Sequence, residues 1–122
     1  MCGVRTLIVD DHEGFRSVAR ALLERGGHVV VGEATDGAST LDAVVRLMPE
    51  MVLLDVQLPD VDGFTIAEQL AQRPEPPVIV LVTARRLVAD HDRAARSPAR
   101  GLLLKEMLTA EAIAALLGDG EA

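Results

Sequence analysis

Five short apolar runs punctuate the chain, at residues 4–9, 28–32, 51–56, 78–83 and 102–104. Four of them are rich in β-branched residues or bounded by turn residues. Because they are apolar at nearly every position, they suit strands covered on both faces of a parallel sheet better than one-sided antiparallel strands. Between the runs, apolar residues return at helical spacing. Phe15, Val18, Ala19, Leu22 and Leu23 lay one stripe along a helix that Gly26 and Gly27 can end. Leu41, Val44, Val45 and Met48 repeat the pattern up to Pro49, and Ala67, Leu70 and Ala71 do so more weakly before Pro74. Leu87, Val88, His91, Ala94 and Ala95 predict a fourth stripe, closed by Ser97 and Pro98. Ile113, Leu116 and Leu117 predict a fifth, with Thr109 as its N-cap.

The order is a strand followed by a helix, five times, at about 24 residues per unit. Strands alternating with helices imply right-handed crossovers and a parallel sheet with helices on both faces. A closed eight-stranded barrel needs about 200 residues or more, so the sheet is expected to be open. Pro74, Glu75, Pro76 and Pro77 form the one proline cluster and read as a helix-to-strand loop, not a linker. Residues 1–122 are thus expected to form a single domain.

Composition narrows the function classes. Twelve basic and 19 acidic residues give a formal charge of −7, a field that disfavours direct contact with nucleic acid or anionic lipid. Phe15 and Phe64 are the only aromatics, too few for a base-stacking platform. Cys2 is the only cysteine, which excludes an intrachain disulfide or a cysteine metal cluster and fits a reducing compartment. No run reaches the roughly 20 apolar residues of a membrane helix, and no signal-peptide core precedes the first run. A cytoplasmic protein is expected.

In an open α/β sheet, ligands bind beyond the carboxyl ends of the strands. Asp10 and Asp11 end the first run, Asp55 the third and Thr83 the fourth, and Lys105 follows the fifth. Carboxylates crowded at one edge are relieved by proton uptake or by a hard divalent cation with oxygen ligands, Mg2+ being the natural candidate. With Lys105 and Thr83 as donors to phosphoryl oxygens, the set suggests phosphoryl transfer onto a carboxylate. Each residue also has a plain structural reading. Asp10, Asp11 and Thr83 could be loop residues or helix caps, and Lys105 a snorkelling strand terminus. Asp55 is different: a carboxylate embedded in Met51, Val52, Leu53, Leu54 and Val56 is costly unless something compensates it. His12, His28 and His91 read as surface or boundary residues, and Gly37 and Gly63 as turn glycines outside any phosphate-loop pattern.

The stretch from Pro49 to Gly63, with Leu53-Leu54-Asp55-Val56-Gln57-Leu58-Pro59-Asp60 at its centre, resembles the phosphorylation-site strand and loop of the receiver domains of two-component response regulators. Asp10-Asp11, Thr83-Ala84 and Lys105 fall in that family's order, with separations of 45, 28 and 22 residues from Asp10 to Asp55 to Thr83 to Lys105. The resemblance covers essentially the whole chain and implies a (βα)5 flavodoxin-like, doubly wound five-stranded parallel sheet of order 2-1-3-4-5. It implies that Asp55 is the phosphoacceptor for a sensor histidine kinase. Asp11, Asp55 and the Gln57 backbone carbonyl hold Mg2+ on this reading, and Asp10 acts mainly through the metal's water shell. Lys105 pairs with the acceptor or the phosphoryl oxygens, and Thr83 is the switch hydroxyl. Such a chain is no enzyme in the usual sense; it assists its own phosphorylation and dephosphorylation.

Asp10-Asp11-His12, Phe15-Arg16, Gly32-Glu33-Ala34, Asp36-Gly37 and Arg100-Gly101 are further similar to the LuxR/NarL-type branch. Members of that branch carry a C-terminal helix-turn-helix, which this sequence lacks, so a stand-alone receiver or a fragment is expected, acting through a downstream protein or as a homodimer. Most of the family keep Tyr or Phe three residues before the lysine, where this chain has Leu102, and many have proline after it, where this chain has Glu106. Two alternatives follow. One is a pseudo-receiver that docks proteins without phosphorylation, motivated by Leu102. The other is a Mg2+ phosphatase of the haloacid-dehalogenase type, which ranks low because His12 and Gln57 stand where its general acid is needed.

Overall fold

The computed structural model describes residues 3–118; Cys2 and the final four residues lie outside them. The elements alternate as read: β1 (Arg5–Val9), α1 (Glu13–Arg25), β2 (Val29–Ala34), α2 (Gly37–Leu47), β3 (Met51–Asp55), α3 (Gly63–Ala71), β4 (Val78–Thr83), α4 (Val88–Ala95), β5 (Gly101–Leu104) and α5 (Ala110–Leu117). A 3-10 turn, Lys105–Met107, follows β5. All pairings are parallel, in the order β2-β1-β3-β4-β5, so the sheet is the flavodoxin-like one the resemblance implies.

Period-two alternation sorts the strand residues to two cores. Leu7, Val9, Val52, Leu54, Ile79 and Leu81 face Val44, Phe64, Ile66, Leu70 and Ala94 of α2, α3 and α4. Ile8, Met51, Leu53, Val80 and Val82 face Ala19, Leu23 and Ile113 of α1 and α5. The two-sided apolar reading holds for β1, β3 and β4. The edge strands β2 and β5 are only partly covered, with Val29 56% exposed.

Helix registers depart from the stripe reading on α1, where Val18 is 56% exposed, and more widely on α2 and α4. On α2 the buried positions are Gly37, Thr40, Ala43 and Val44, while Val45 and Met48 face solvent. On α4 they are Asp90 and Ala94; Leu87, Val88, His91 and Ala95 lie outside. In both helices the sheet is approached by small or paired polar residues, which a hydrophobic stripe does not mark. Thr109 caps α5 as expected, accepting from Ala112 N at 3.0 Å.

Two further readings are corrected. His28 is buried, not a surface residue, and its Nδ1 accepts from Val4 N at 3.0 Å, tying the entry of β1 to the entry of β2. Gly37 and Gly63 do not serve turns: neither has positive φ, and each opens a helix where backbone must approach closely. A Cβ on Gly63 would lie 2.3 Å from the Asp55 carbonyl oxygen and 2.8 Å from Val56 Cα. Both obstacles are backbone of the strand end that carries the candidate acceptor, so neither can rotate away. Gly63→Ala is therefore expected to cost about 2 kcal/mol or more in urea denaturation, whereas Gly14→Ala, whose Cβ meets nothing within 4 Å, is expected to be neutral or to stabilise by about 0.5–1 kcal/mol.

Candidate functional site

The carboxyl ends of β1, β3, β4 and β5 deliver the expected residues to one edge. Asp10 follows β1 and is fully buried; Asp55 ends β3 at 2% exposure; Thr83 ends β4, fully buried. Asp11 stands more open, and one ligand atom each from Asp10, Asp11, His12 and Asp55 lies within 4.8 Å of the others. Lys105 Nζ reaches in from the 3-10 turn, 2.5 Å from Asp10 Oδ2 and 3.4 Å from Asp55 Oδ2. It is the chain's only lysine, the other basic side chains all being arginine. A compact ammonium on a flexible stem suits a point contact among crowded oxygens better than a planar guanidinium does. Phe15, read from the sequence as a core residue, also stacks beneath that ammonium at 4.7 Å.

The loops that frame the edge are tied down by polar contacts that hydrophobic patterning cannot reveal. The Asp10 carbonyl accepts from Arg16 Nη1 at 2.7 Å, and Arg16 is held in turn by Glu33. After β3, Gln57 N donates to Asp55 Oδ1 at 3.0 Å, and Gln57 pairs with Asp62 in an isolated antiparallel bridge. The Asp60 carboxylate accepts from Gly37 N and Ala38 N, capping α2 from the neighbouring loop. Asp62 caps α3 by accepting from Phe64 N and also accepts from Arg93 of α4 at 2.7 Å. His12 is exposed, as read, although its Nδ1 lies 3.2 Å from Asp10 Oδ1 and 3.1 Å from Asp11 Oδ1. Thr83 Oγ1 accepts from Arg85 N at 3.2 Å and makes no contact with the carboxylates.

Burial raises the Asp55 pKa above the ordinary carboxylate value. The Gln57 N–H opposes that rise, the Asp10 charge adds to it, and Lys105 opposes it. The lysine ammonium, 2.5 Å away, is the only partner of the buried Asp10 Oδ2 among the described residues. Three carboxylates within reach of one another, two of them buried and sharing one ammonium, form a hard, oxygen-rich donor set that fits a divalent cation.

An open doubly wound sheet with an acidic crevice and a lysine at its carboxyl edge defines the class, a flavodoxin-like α/β domain. Within that class the chain belongs to the response regulator receiver domains, the family whose sequence model matches residues 6–117. It is 36% identical over 115 residues to "Probable transcriptional regulatory protein NarL" of Mycobacterium tuberculosis, a match covering 93% of this chain and 53% of that protein. It is also 37% identical over 125 residues to a protein-glutamate methylesterase/protein-glutamine glutaminase of Anaeromyxobacter dehalogenans, covering 90% of this chain and 36% of that one. The chain thus spans about half or less of these relatives' lengths. Among solved structures, the signal receiver domain of the M. tuberculosis response regulator designated NarL superposes with a TM-score of 0.84 at 34% identity, covering 100% of this chain and 99% of that one. A LuxR-family two-component response regulator from Aurantimonas gives 0.84 at 29% identity, with coverages of 95% and 86%.

A raised folded-state pKa means that the native state holds the Asp55 proton more tightly than the unfolded chain does, so stability falls as pH rises from the unfolded value through the folded one. Replacing the carboxylate removes that penalty while Lys105 keeps Asp10 as its partner. Asp55→Asn is therefore expected to raise stability in metal-free buffer at pH 7 by on the order of 1 kcal/mol. The gain should vanish below about pH 4, where the unfolded carboxylate is also protonated; thermal melts across this pH range measure it, and a lower melting temperature for the variant at pH 7 contradicts the charge-crowding account.

Proposed function

We propose that this domain accepts a phosphoryl group on Asp55 from a phosphohistidine of a sensor histidine kinase, as a receiver in two-component signalling. The observation that carries the reading is the buried Asp55 carboxylate at a strand end, between a second buried carboxylate and the chain's one lysine. In the transfer, an Asp55 oxygen forms the new P–O bond while the P–N bond to the donor imidazole breaks, the nitrogen leaving with the electron pair. Asp11, Asp55 and the Gln57 carbonyl, with Asp10 close by, would hold Mg2+, which would supply the charge neutralisation that lets two anions approach. Lys105 is already placed to exchange Asp55 Oδ2 for a phosphoryl oxygen, and the Gln57 N–H keeps the carboxylate oriented. The Thr83 hydroxyl, whose acceptor lone pairs are engaged by the Arg85 N–H, is free to donate to the phosphoryl group. The chain's catalysis is confined to its own phosphorylation and dephosphorylation. Its output goes through a downstream protein, a homodimer or a DNA-binding domain of the LuxR type.

A second reading, a receiver that docks a partner without being phosphorylated, draws on Leu102. Beside it lies a hollow of about 270 Å3 lined by His91, Ala94, Ala95, Ala99, Arg100, Gly101 and Leu102, at the place where most of the family put a movable aromatic.

Incubation with Mg2+ and acetyl phosphate is expected to add one phosphoryl mass to the intact protein, and none to Asp55→Asn; equal gains in the two would remove Asp55 from the role. Mg2+ alone is expected to raise the melting temperature of the wild type, by about 2.7 kcal/mol of stabilisation at a hundredfold excess over Kd. Asp11→Asn should lose most of this effect. If acetyl phosphate labels Asp55 yet leaves the amide resonances of α4, β5 and α5 unmoved, the docking reading stands instead.

A further inference from the structure

Asp90 is the one buried carboxylate among the described residues that lies outside the Asp10–Asp55 cluster. It sits in the first turn of α4, only 8% of its side chain exposed, and its side-chain partner is Arg85, which grips it bidentately through Nε at 2.7 Å and Nη2 at 3.1 Å. A buried carboxylate is tolerated only while such a partner holds it. Arg85 in turn belongs to the loop that leaves β4, and its backbone N–H donates to the Thr83 hydroxyl at 3.2 Å. That loop adjoins the acceptor strand: Val82 is the β4 partner of Asp55, and Val56 N donates to Val82 O at 2.9 Å. The Arg85 guanidinium is raised above its ordinary pKa, first by the hydrogen bond to Asp90 against a desolvation cost, then by the charges of Asp90, Asp62 and Asp55.

We propose, resting on the phosphoacceptor reading above, that Arg85 and Asp90 form a latch: Asp90 holds Arg85 and the first turn of α4 in the unphosphorylated state, and a phosphoryl group on Asp55 competes for the guanidinium and releases Asp90. Two features favour this route here. A phosphoryl group offers more charge than a carboxylate, and two of its tetrahedrally arranged oxygens can take a guanidinium bidentately. And Leu102 removes the aromatic by which the family usually links the Thr83 loop to the face of α4, so another physical connection has to carry the change. Arg85 acts as a positioning residue for α4, not as a group that makes or breaks the P–O bond.

Backbone amide spectra of the full chain, with and without Mg2+ and beryllofluoride as a phosphoryl stand-in, test the latch. Loaded wild type is expected to shift amides at 55–57, at 83–85 and along 87–96. Unloaded Asp90→Asn is expected to move the 87–96 amides at least half of the way to their loaded wild-type positions while those of Asp10 and Asp55 stay. Amides of 87–96 that keep their unloaded wild-type positions, or move in an unrelated direction, overturn the proposal. In a double variant, Arg85→Ala with Asp90→Ala, no charge is left buried alone. Its site amides should still respond to loading while the α4 response falls by more than half, and an undiminished α4 response overturns the latch. Should the double variant fail to fold, Asp90→Asn alone decides. No response at Asp55, Gln57 and Thr83 in loaded wild type overturns the phosphoacceptor reading, and the latch with it.

Discussion

Everything at the carboxyl edge of the sheet follows from an unbalanced charge: Asp10 and Asp55 are buried, Asp11 stands beside them, and a single ammonium faces the two buried ones. Burial alone raises the cost of each ionised carboxylate, and like charges within 4.8 Å of one another raise it further. The apolar strands supply the rigidity that keeps these groups from relaxing apart. β1 and β3 are neighbours in register through Val9 and Leu54, so the residues that follow them emerge side by side whether or not their charges agree. The fold thus forces together groups whose crowding is relieved by proton uptake or by a cation, and the phosphoryl chemistry proposed for Asp55 would draw on the second.

That forced proximity would be useless if the flanking loops could swing away. They are held by backbone and caps more than by apolar packing. Gly63 leaves room for α3 to start against the Asp55 carbonyl, Asp60 caps the neighbouring helix α2, and Asp62 caps α3 while gripping Arg93. Each contact serves two elements at once, so moving the acceptor loop disturbs α2, α3 and α4 together.

The same distinction explains what could be read from the sequence. Central strands announce themselves because they are apolar on both faces, and the polar residue that interrupts each run marks the strand end; hence Asp10, Asp55, Thr83 and Lys105 are found where expected. Helix registers on α2 and α4 could not be read so. Thr40 is buried because its hydroxyl donates to the Asp36 carbonyl at 2.6 Å, and Asp90 because Arg85 neutralises it. Neither partner is implied by hydrophobic spacing. His28 looked like a boundary residue for the same reason, its burial depending on a backbone N–H 24 residues away in sequence. One available sequence signal went unused: Lys105, equally readable as a snorkelling strand terminus, is the lone lysine in a chain otherwise basic only through arginine, and it sits in the site.

The weakly packed side of the sheet is where this matters for signalling. α4 contributes only Ala94 and Asp90 to buried positions, and it lies beside a β5 strand of partly exposed leucines and a hollow floored by alanines and Gly101. Small side chains bury little apolar area, so the position of α4 depends less on hydrophobic burial than that of α3, which inserts Phe64, Ile66 and Leu70. Its tethers are polar and charged instead: Arg85 to Asp90, Arg93 to Asp62, and Arg93 over the Phe64 ring at 4.5 Å. Charged tethers respond to a change in nearby charge, whereas a packed apolar face does not. A helix held in this way, next to a site whose proposed chemistry would add negative charge, is the element that such a charge would most easily bias between two positions, and with Leu102 in place of an aromatic that bias would be left to electrostatics.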